Sequence, residues 1–205
     1  QLQALKSNLP GRKGLYRLPW YLVMGLEGVG KTSLIQRAGQ TYTLTNVTRN
    51  NRGDRNPFSF DWWIGDNGVL IDPDGELLSQ NQGEGATGEI QNRLWNHFIG
   101  WLERSRPQRP LNGVILAVDL ARLSTASDQQ REAHAILLRT RLRELMEQLG
   151  SRLPVYVTFT KMDLMYGFAP FVRTLSKAEK EKALGFTFRL ESQQDHDHWL
   201  EQFAD

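Results

Sequence analysis

The sequence predicts an α/β protein in which helices cover both faces of a mostly parallel β-sheet. Short apolar segments with the length of single strands lie at 20–24, 114–118 and 155–159, and helical segments alternate with them. This alternation is typical of a three-layer sandwich. One hairpin interrupts it, because the turn at 65–68 contains an Asn-Gly pair that favours a tight antiparallel connection. The predicted fold class is therefore three-layer α/β, with a mostly parallel sheet and one antiparallel edge hairpin.

The helices are predicted from apolar periodicity and from capping residues. Ser127 with Gln130, and Ser176 with Glu179, have the spacing of capping boxes that begin helices. In chain order the predicted elements are a strand at 20–24, a helix at 31–38, hairpin strands at 58–64 and 68–71, a helix through Ile90, Leu94, Phe98 and Leu102, a strand at 114–118, a helix at 128–149, a strand at 155–159, and a short helix that stops at Gly185, with long loops at 40–57 and 75–88.

The composition indicates a globular protein and argues against several functional classes. The chain has 205 residues, no cysteine and a formal net charge of +2, so a disulfide scaffold and thiolate metal sites are excluded. The densest basic cluster, Arg139, Arg141 and Arg143, lies among glutamates, so we expect a solvated helix face and no nucleic-acid partner. The expected domains are a linker or helix end at 1–14, the main domain at 15–188, and a helical segment at 189–205 leading to the rest of a longer chain.

Residues 25–32 carry the most specific motif. They read Gly-Leu-Glu-Gly-Val-Gly-Lys-Thr and match G-x-x-x-x-G-K-[ST] between a predicted strand and a predicted helix, which favours a P-loop NTPase of small-GTPase type. Glycines let successive backbone N–H groups point inward and form an anion nest. Lys31 is expected to contact the β- and γ-phosphates of a nucleoside triphosphate, and the Thr32 hydroxyl to ligate Mg²⁺. The predicted nucleotide-binding residues here are Gly25, Glu27, Gly28, Val29, Gly30, Lys31, Thr32 and Ser33.

A second, acidic motif follows the apolar segment 69–71. Asp72 ends this predicted strand, and an aspartate in that place holds magnesium in P-loop proteins. Gly75 fits the D-x-x-G pattern of switch GTPases, in which the glycine N–H meets the γ-phosphate. The alternative is an ordinary exit from the strand, since Asp-Pro-Asp-Gly is favourable turn chemistry. Glu76 stands where many switch GTPases have a water-orienting glutamine, so we expect slow intrinsic hydrolysis.

Residues 160–163 resemble a base-recognition motif. The sequence Thr160-Lys161-Met162-Asp163 leaves an apolar strand and resembles the N/T-K-x-D motif of GTPases. There the aspartate accepts hydrogen bonds from the guanine edge, and the lysine stem covers the base. Thr160, Lys161 and Asp163 are therefore predicted to bind the base, and they favour GTP. The alternative is a polar loop that matches four residues by chance.

The loop at 40–57 is predicted to contain a switch threonine. Thr48, with Thr45 as the alternative, is expected to close over magnesium when a triphosphate is bound. Arg49 and Arg52 are candidates for neutralising charge in the transition state. The predicted catalytic residues are Lys31, Thr48, Asp72 and Gly75, and the predicted magnesium ligands are Thr32, Thr48 and Asp72.

Three blocks of sequence together resemble a known family. They are residues 15–25 before the glycine-rich loop, residues 60–72, and residues 154–168. Their order and character resemble the cytoplasmic NTPase domain of the IcmF/TssM proteins. The resemblance implies an inner-membrane component of a type VI secretion system, or its type IV relative in the Icm/Dot machinery. It also implies a position on the cytoplasmic face of that membrane, with the other membrane-complex and baseplate subunits as partners.

Departures from the family pattern leave two alternatives open. The family's D-T-A-G-R stretch appears here as Asp-Pro-Asp-Gly-Glu at residues 72–76, which removes one N–H and adds negative charge near the γ-phosphate. The family nucleotide is commonly discussed as ATP, whereas residues 160–163 favour GTP. The predicted function is binding and slow hydrolysis of GTP or ATP as a conformational switch. The alternative function is a non-catalytic assembly scaffold that retains the fold.

Overall fold

The computed structural model describes residues 16–40, 42–45, 60–79 and 86–182, together with residues 185 and 187. The chain divides into two compact units, residues 1–165 and 166–205. The strands of the first unit are β1 (Trp20–Met24), β2 (Thr43–Thr45), β3 (Phe60–Ile64), β4 (Val69–Pro73), β5 (Gly113–Asp119) and β6 (Val155–Thr160). Its helices are α1 (Lys31–Gln36), α2 (Gly75–Ser79), α3 (Ala86–Ser105), α4 (Leu120–Thr125) and α5 (Asp128–Gln148), followed by a 3₁₀ turn at Met162–Leu164.

A sheet with the strand order β2-β3-β4-β1-β5-β6 forms the centre of the first unit. β1 is parallel to both β4 and β5, and β5 is parallel to β6. β3 is antiparallel to both β2 and β4, and the predicted hairpin between β3 and β4 is closed by the Gly65 N–H, which donates to the Gly68 carbonyl at 3.0 Å. The predicted three-layer α/β class with a mostly parallel sheet is confirmed. The antiparallel edge has a third strand, β2, because residues 43–45 pair with β3.

The larger core lies between one face of the sheet and helices α2, α3 and α5. Alternate strand residues face it, as the two-residue period of a strand requires, and the apolar stripe of α3 covers them. Its members include Trp20, Leu22, Met24, Val114, Leu116 and Val118 from the strands, and Trp95, Phe98, Ile99 and Leu102 from α3. A smaller core on the opposite face, beneath α1, contains Val23, Ile35, Trp63 and Leu70.

The segment after β4 differs from its prediction. The expected long loop at 75–88 is wrong at both ends, because α2 and α3 occupy them. The Asp74 carboxylate accepts a hydrogen bond from the Glu76 N–H at 3.1 Å, and such an interaction satisfies a free N–H at the beginning of a helix. Leu77 and Leu78 are fully buried. Burial of these two side chains therefore stabilises a short helix whose glycine and flanking polar residues suggested a loop.

Arg141 does not belong to the solvated face predicted for it. The residue is only 8% exposed, whereas Arg139 and Arg143 are exposed as predicted. The Arg141 Nε donates to the Leu78 carbonyl at 3.1 Å, and Nη1 donates to Glu144 at 2.6 Å. The guanidinium therefore ties α5 to α2. A run of arginines on a polar helix does not indicate which of them faces inward, so the sequence could not reveal this contact.

The second unit is described through two short helices, α6 (Phe168–Thr174) and α7 (Lys177–Lys180). The predicted capping box is present at the beginning of α7, where Ser176 and Glu179 bond each other's backbone N–H groups. The other predicted box, of Ser127 and Gln130, likewise begins α5. Across the described residues of both units, no helix is long and apolar enough to span a membrane.

Candidate functional site

The glycine-rich loop connects β1 to α1 and has a curled backbone. Gly28 and Gly30 have φ angles of 71° and 93°, in the left-handed region that residues with a Cβ rarely adopt. Within the loop, the Val29 N–H donates to the Leu26 carbonyl at 3.3 Å. Gly30 precedes α1 and provides no side-chain cap, so the first N–H groups of the helix are left for another acceptor. This backbone has the form of an anion nest.

A lysine, a hydroxyl and a carboxylate meet at the end of this loop. Lys31 is 8% exposed, and its Nζ donates to the Gly25 carbonyl at 3.1 Å. The same Nζ lies 3.6 Å from Oδ1 of Asp72. The Thr32 hydroxyl donates to Oδ2 of Asp72 at 3.2 Å. The groups meet because β1 and β4 are parallel neighbours, so both chain segments leave the same edge of the sheet.

The carboxylate of Asp72 is buried and incompletely satisfied. Its burial raises the pKa to about 6, although Lys31 and Thr32 lower it. Asp61 lies directly opposite on β3 and raises the pKa further by charge repulsion. Among the described residues, Oδ1 of Asp72 has no hydrogen-bond partner. Because a buried polar atom without a partner is costly, this position favours the arrival of a cation.

The oxygen donors at this position suit magnesium. Hydroxyl and carboxylate oxygens are hard ligands, and Mg²⁺ in nucleotide sites is held by one or two protein groups together with phosphates and water. Within the described ranges, no group of three or more Asp, Glu, His or Cys residues could hold a metal on its own. Thr32 and Asp72 therefore fit a magnesium ion that is shared with a phosphate ligand, and do not fit an all-protein metal cage.

Two glycines allow the surrounding backbone to approach the loop closely. A Cβ on Gly75 would lie 2.2 Å from the Glu27 nitrogen and 2.6 Å from the Leu26 carbonyl carbon. A Cβ on Gly25 would lie 2.9 Å from the Ala117 carbonyl oxygen. All three distances are shorter than side chains tolerate, and these clashing atoms belong to the backbone. The first residue of α2 therefore packs directly against the glycine-rich loop.

Thr160 connects the predicted base-recognition motif, residues 160–163, to the same loop. It ends β6 and is 8% exposed. Its hydroxyl lies 2.7 Å from the Val29 carbonyl oxygen and 3.1 Å from the Val118 carbonyl oxygen. A hydroxyl has one proton to donate, so the nearer acceptor, in the glycine-rich loop, is the better partner. This bond places residues 160–163 beside a loop that lies far from them in sequence.

Lys161 is held by a residue that the sequence analysis did not select. Its Nζ donates to Oδ2 of Asp119 at 2.7 Å, while Oδ1 of Asp119 accepts the Arg122 N–H at 2.9 Å and so caps α4. Burial alone would raise the pKa of Asp119, but the hydrogen bonds from Lys161 and Arg122 outweigh it and lower the pKa. Like Asp72, Asp119 lies at the end of an apolar strand, and this position in the sequence could have identified it as a candidate site residue. Asp163 is exposed in the 3₁₀ turn.

The structure brings most of the predicted residues to one edge of the sheet. Glu27 and Ser33 are exposed there, whereas Lys31, Asp72, Gly75 and Thr160 are buried. Thr48, the predicted switch threonine, lies outside the described residues, as do Arg49 and Arg52. The alternative, Thr45, is the last residue of β2. The individual roles assigned to these residues remain predictions.

These features define an α/β protein with a phosphate-loop motif between its first strand and first helix. The family described as the IcmF-related N-terminal domain matches residues 88–205, more than half of the chain, and the chain belongs to this family. It is 36% identical over 195 residues to the "Type VI secretion system component TssM1" of Pseudomonas aeruginosa, which covers 93% of this chain and 17% of that protein. The predicted membership of the IcmF/TssM family is confirmed. The chain spans about a sixth of that relative.

Two solved structures have a backbone that resembles this one in part. A "probable GTP-binding protein engB" has a TM-score of 0.44 and 18% identity, covering 84% of this chain and 83% of that one. The G domain of the T. maritima FeoB iron transporter has a TM-score of 0.37 and 20% identity, covering 77% of this chain and 96% of that one.

Proposed function

We propose that this domain binds a nucleoside triphosphate with magnesium and acts as a conformational switch in a type VI secretion membrane complex. The observation that carries the proposal is the buried ammonium of Lys31, which lies between the curled glycine-rich loop and Asp72. N–H groups and a lysine favour an anion with several oxygens. Oδ1 of Asp72 has an ion-pair contact with Lys31 but no hydrogen-bond partner among the described residues, so it favours a cation. A magnesium polyphosphate supplies both at once.

Each residue at the phosphate end then has one task. Lys31 exchanges the Gly25 carbonyl for oxygens of the β- and γ-phosphates, and N–H groups of the glycine-rich loop and of the start of α1 bind the remaining oxygens. Thr32 and Asp72 hold the magnesium ion, which neutralises phosphate charge when bound. Asp72 must be ionised to hold a cation, and its pKa in the free domain is about 6. Magnesium binding is therefore expected to weaken as the pH falls from about 7 to about 5, since Asp72 becomes protonated in this range.

The proposed base pocket is formed by residues 160–163. The carboxylate of Asp163 is exposed and has no hydrogen-bond partner among the described residues. A carboxylate can accept two hydrogen bonds from a guanine edge. Adenine does not offer a matching pair of donors, so we propose a preference for GTP over ATP. Thr160 supports the proposal, because its bond to the Val29 carbonyl positions the pocket relative to the phosphates.

The proposed switch passes through α2. Gly75 packs on the backbone of Glu27, so a γ-phosphate bound in the loop lies beside the beginning of this helix. At the other end of α2, the Leu78 carbonyl accepts a hydrogen bond from buried Arg141 of α5. A displacement of α2 would therefore alter α5, whose outer face is exposed. Thr48 is proposed to complete the switch by closing over magnesium.

Hydrolysis is proposed to be slow. Glu76, in place of a water-orienting glutamine, adds a carboxylate that repels a triphosphate, and its N–H is already bonded to Asp74. Single-turnover experiments on the purified domain should show a chemical step slower than dissociation of the nucleotide. Hydrolysis at several turnovers per second would contradict this part of the proposal.

The test of binding is a titration of the purified domain with fluorescent GTP and ATP analogues, with magnesium and with EDTA. Lys31→Ala should weaken both nucleotides by about 100-fold, as expected for the loss of charged hydrogen bonds. Asp163→Ala should weaken GTP alone. The matched controls are Arg104→Ala and Glu103→Ala, which remove exposed charges from α3 and should leave both affinities unchanged.

Each outcome of the titration has a distinct meaning. GTP binding that is lost in both site variants supports the phosphate and base assignments together. ATP binding that is lost only in Lys31→Ala supports the phosphate loop and contradicts the guanine assignment. A folded wild-type domain that binds neither nucleotide contradicts the proposal and favours the alternative function, an assembly scaffold without catalysis.

The proposed partners are the other membrane-complex and baseplate subunits, and the proposed location is the cytoplasmic face of the bacterial inner membrane. Both proposals rest on the similarity to TssM1, a type VI secretion system component, and on the family resemblance of the sequence. Lys31→Ala in the full-length protein should reduce assembly of the complex while the variant remains folded. Normal assembly with that variant would contradict the switch and leave the scaffold.

A further inference from the structure

Asp119 is a buried acidic residue to which the proposed function assigns no role. It is 7% exposed and lies at the carboxyl end of β5, opposite Thr160 in the sheet register. Both of its carboxylate oxygens are engaged, one by Lys161 Nζ at 2.7 Å and the other by the Arg122 N–H at 2.9 Å. Only one of these oxygens, the one bonded to the Arg122 N–H, is needed to cap α4. The other oxygen holds the ammonium of Lys161 in place.

The backbone of Lys161 is in an unfavourable conformation. Its φ of 57° makes it the single non-glycine residue with positive φ among the described residues. The left-handed region is energetically unfavourable for a residue with a Cβ, and such outliers persist only where surrounding contacts determine them. Here the preceding residue, Thr160, is bonded to the glycine-rich loop, and the ammonium is bonded to Asp119. Both ends of the lysine are therefore fixed.

We propose that Asp119 is a positioning residue for nucleotide recognition, which acts by anchoring the Lys161 ammonium so that the methylene stem is held flat where the base binds. The inference rests on the proposed function and adds to it the residue that organises the base pocket. An unanchored lysine loses rotamer freedom when a base packs on it. Anchoring by Asp119 removes that loss before the ligand arrives, which is pre-organisation.

The experiment compares Asp119→Asn with the wild-type chain. Asparagine keeps the size and the helix-capping ability of aspartate, so α4 should remain intact, but it removes the charge that holds Lys161. We measure the affinity for a fluorescent GTP analogue and, by competition, for inorganic tripolyphosphate, which has no base. Asp119→Asn should weaken GTP by about tenfold and leave tripolyphosphate unchanged. Asp128→Asn is the matched control, since it removes the exposed ion pair with Arg131 at the start of α5 and should change neither affinity.

A second variant tests whether Asp119 acts through the lysine. Lys161→Met keeps a long apolar stem but has no ammonium to anchor. In that background, Asp119→Asn should have no further effect on GTP affinity. Circular dichroism and thermal unfolding of each variant show whether it is folded under the assay conditions.

The outcomes separate this inference from the proposed function. Unchanged GTP affinity in Asp119→Asn, or equal losses for GTP and tripolyphosphate, would overturn the inference while the proposed function stands. An additional loss in the Lys161→Met background would also overturn it. If the wild-type chain binds tripolyphosphate but not GTP, the base pocket fails and the inference fails with it. If the wild-type chain binds neither, the proposed function itself is contradicted.

Discussion

The two ends of the candidate site hold their polar groups in different ways. At the phosphate end, Lys31 and Asp72 are buried, the pKa of Asp72 is raised to about 6, and one of its oxygens has no hydrogen-bond partner among the described residues. At the base end, Lys161 is paired with Asp119 at 2.7 Å, and the Thr160 hydroxyl is bonded to the Val29 carbonyl at 2.7 Å. At the phosphate end, the desolvated carboxylate of Asp72 is unfavourable until a ligand or cation supplies the missing contact. The buried groups of the base end already have hydrogen-bond partners.

The two ends would therefore contribute differently to ligand binding, the phosphate end through its charges and the base end through its fixed geometry. At the phosphate end the backbone packs closely, and the buried Asp72 carboxylate, although paired with Lys31, keeps one oxygen without a hydrogen bond among the described residues. Changes there should therefore alter stability strongly and in a pH-dependent manner. The base end holds its side chains in fixed positions. Changes there should therefore have small effects on the free energy of unfolding and larger effects on the affinity for the ligand. The contrast fails if the two ends respond alike.

The largest effect is expected from Gly75→Ala, which tests the packing of α2 on the glycine-rich loop. The added methyl would lie 2.2 Å from the Glu27 nitrogen and 2.5 Å from its Cα. Because these are backbone atoms, the loop or α2 must move, and we expect a loss of about 3 kcal/mol in the free energy of unfolding. Chemical denaturation followed by tryptophan fluorescence measures it.

The control for this change is Gly185→Ala. A Cβ at Gly185 would meet nothing within 4 Å, and the substitution should alter the free energy of unfolding by less than about 0.5 kcal/mol. Equal stabilities of Gly75→Ala and the wild-type chain would show that the loop yields easily. The proposed transmission of nucleotide binding to α2 would then lose its basis.

The second effect concerns the charge on Asp72. In the folded domain its pKa is about 6, above its ordinary value of 3.8, so the folded state binds more protons than the unfolded state between these values. Stability must therefore fall as the pH rises through this window and then remain level above it. A shift of this size corresponds to at most about 3 kcal/mol, and relaxation of the site should reduce the observed effect to about 2 kcal/mol.

The comparison of Asp72→Asn with the wild-type chain isolates this group. At pH 4, near the ordinary pKa of 3.8, position 72 is largely neutral in both folded proteins, whereas at pH 7 only the wild-type chain carries the charge. Asp72→Asn should therefore be more favourable to stability, relative to the wild type, at pH 7 than at pH 4. Denaturation curves without magnesium at both values provide the test. A difference between the two proteins that does not change with pH would contradict the raised pKa.

Local motifs were predictable from the sequence, and contacts between distant segments were not. The glycine-rich loop and the two capping boxes depend on residues a few positions apart, so spacing alone identified them. The pairing of Asp119 with Lys161, and of Arg141 with the Leu78 carbonyl, joins residues 42 and 63 positions apart. Nothing in the local sequence distinguishes these side chains from solvated ones. α2 was missed because its stabilisation comes from burial of Leu78 and its neighbour.

The smallest effect is expected at the base end, from Thr160→Val. Valine has nearly the same shape but cannot donate to the Val29 carbonyl, so the cost should be one buried hydrogen bond, about 1 kcal/mol. Thr158→Val is the control, because Thr158 is on the same strand and its hydroxyl makes no hydrogen bond among the described residues. GTP affinity should fall in Thr160→Val even under conditions in which the variant is fully folded, because the bond sets the distance between the base pocket and the glycine-rich loop. If Thr160→Val lowers stability as much as Gly75→Ala does and leaves the ligand affinity unchanged, the base end is a structural element and not a pre-organised pocket.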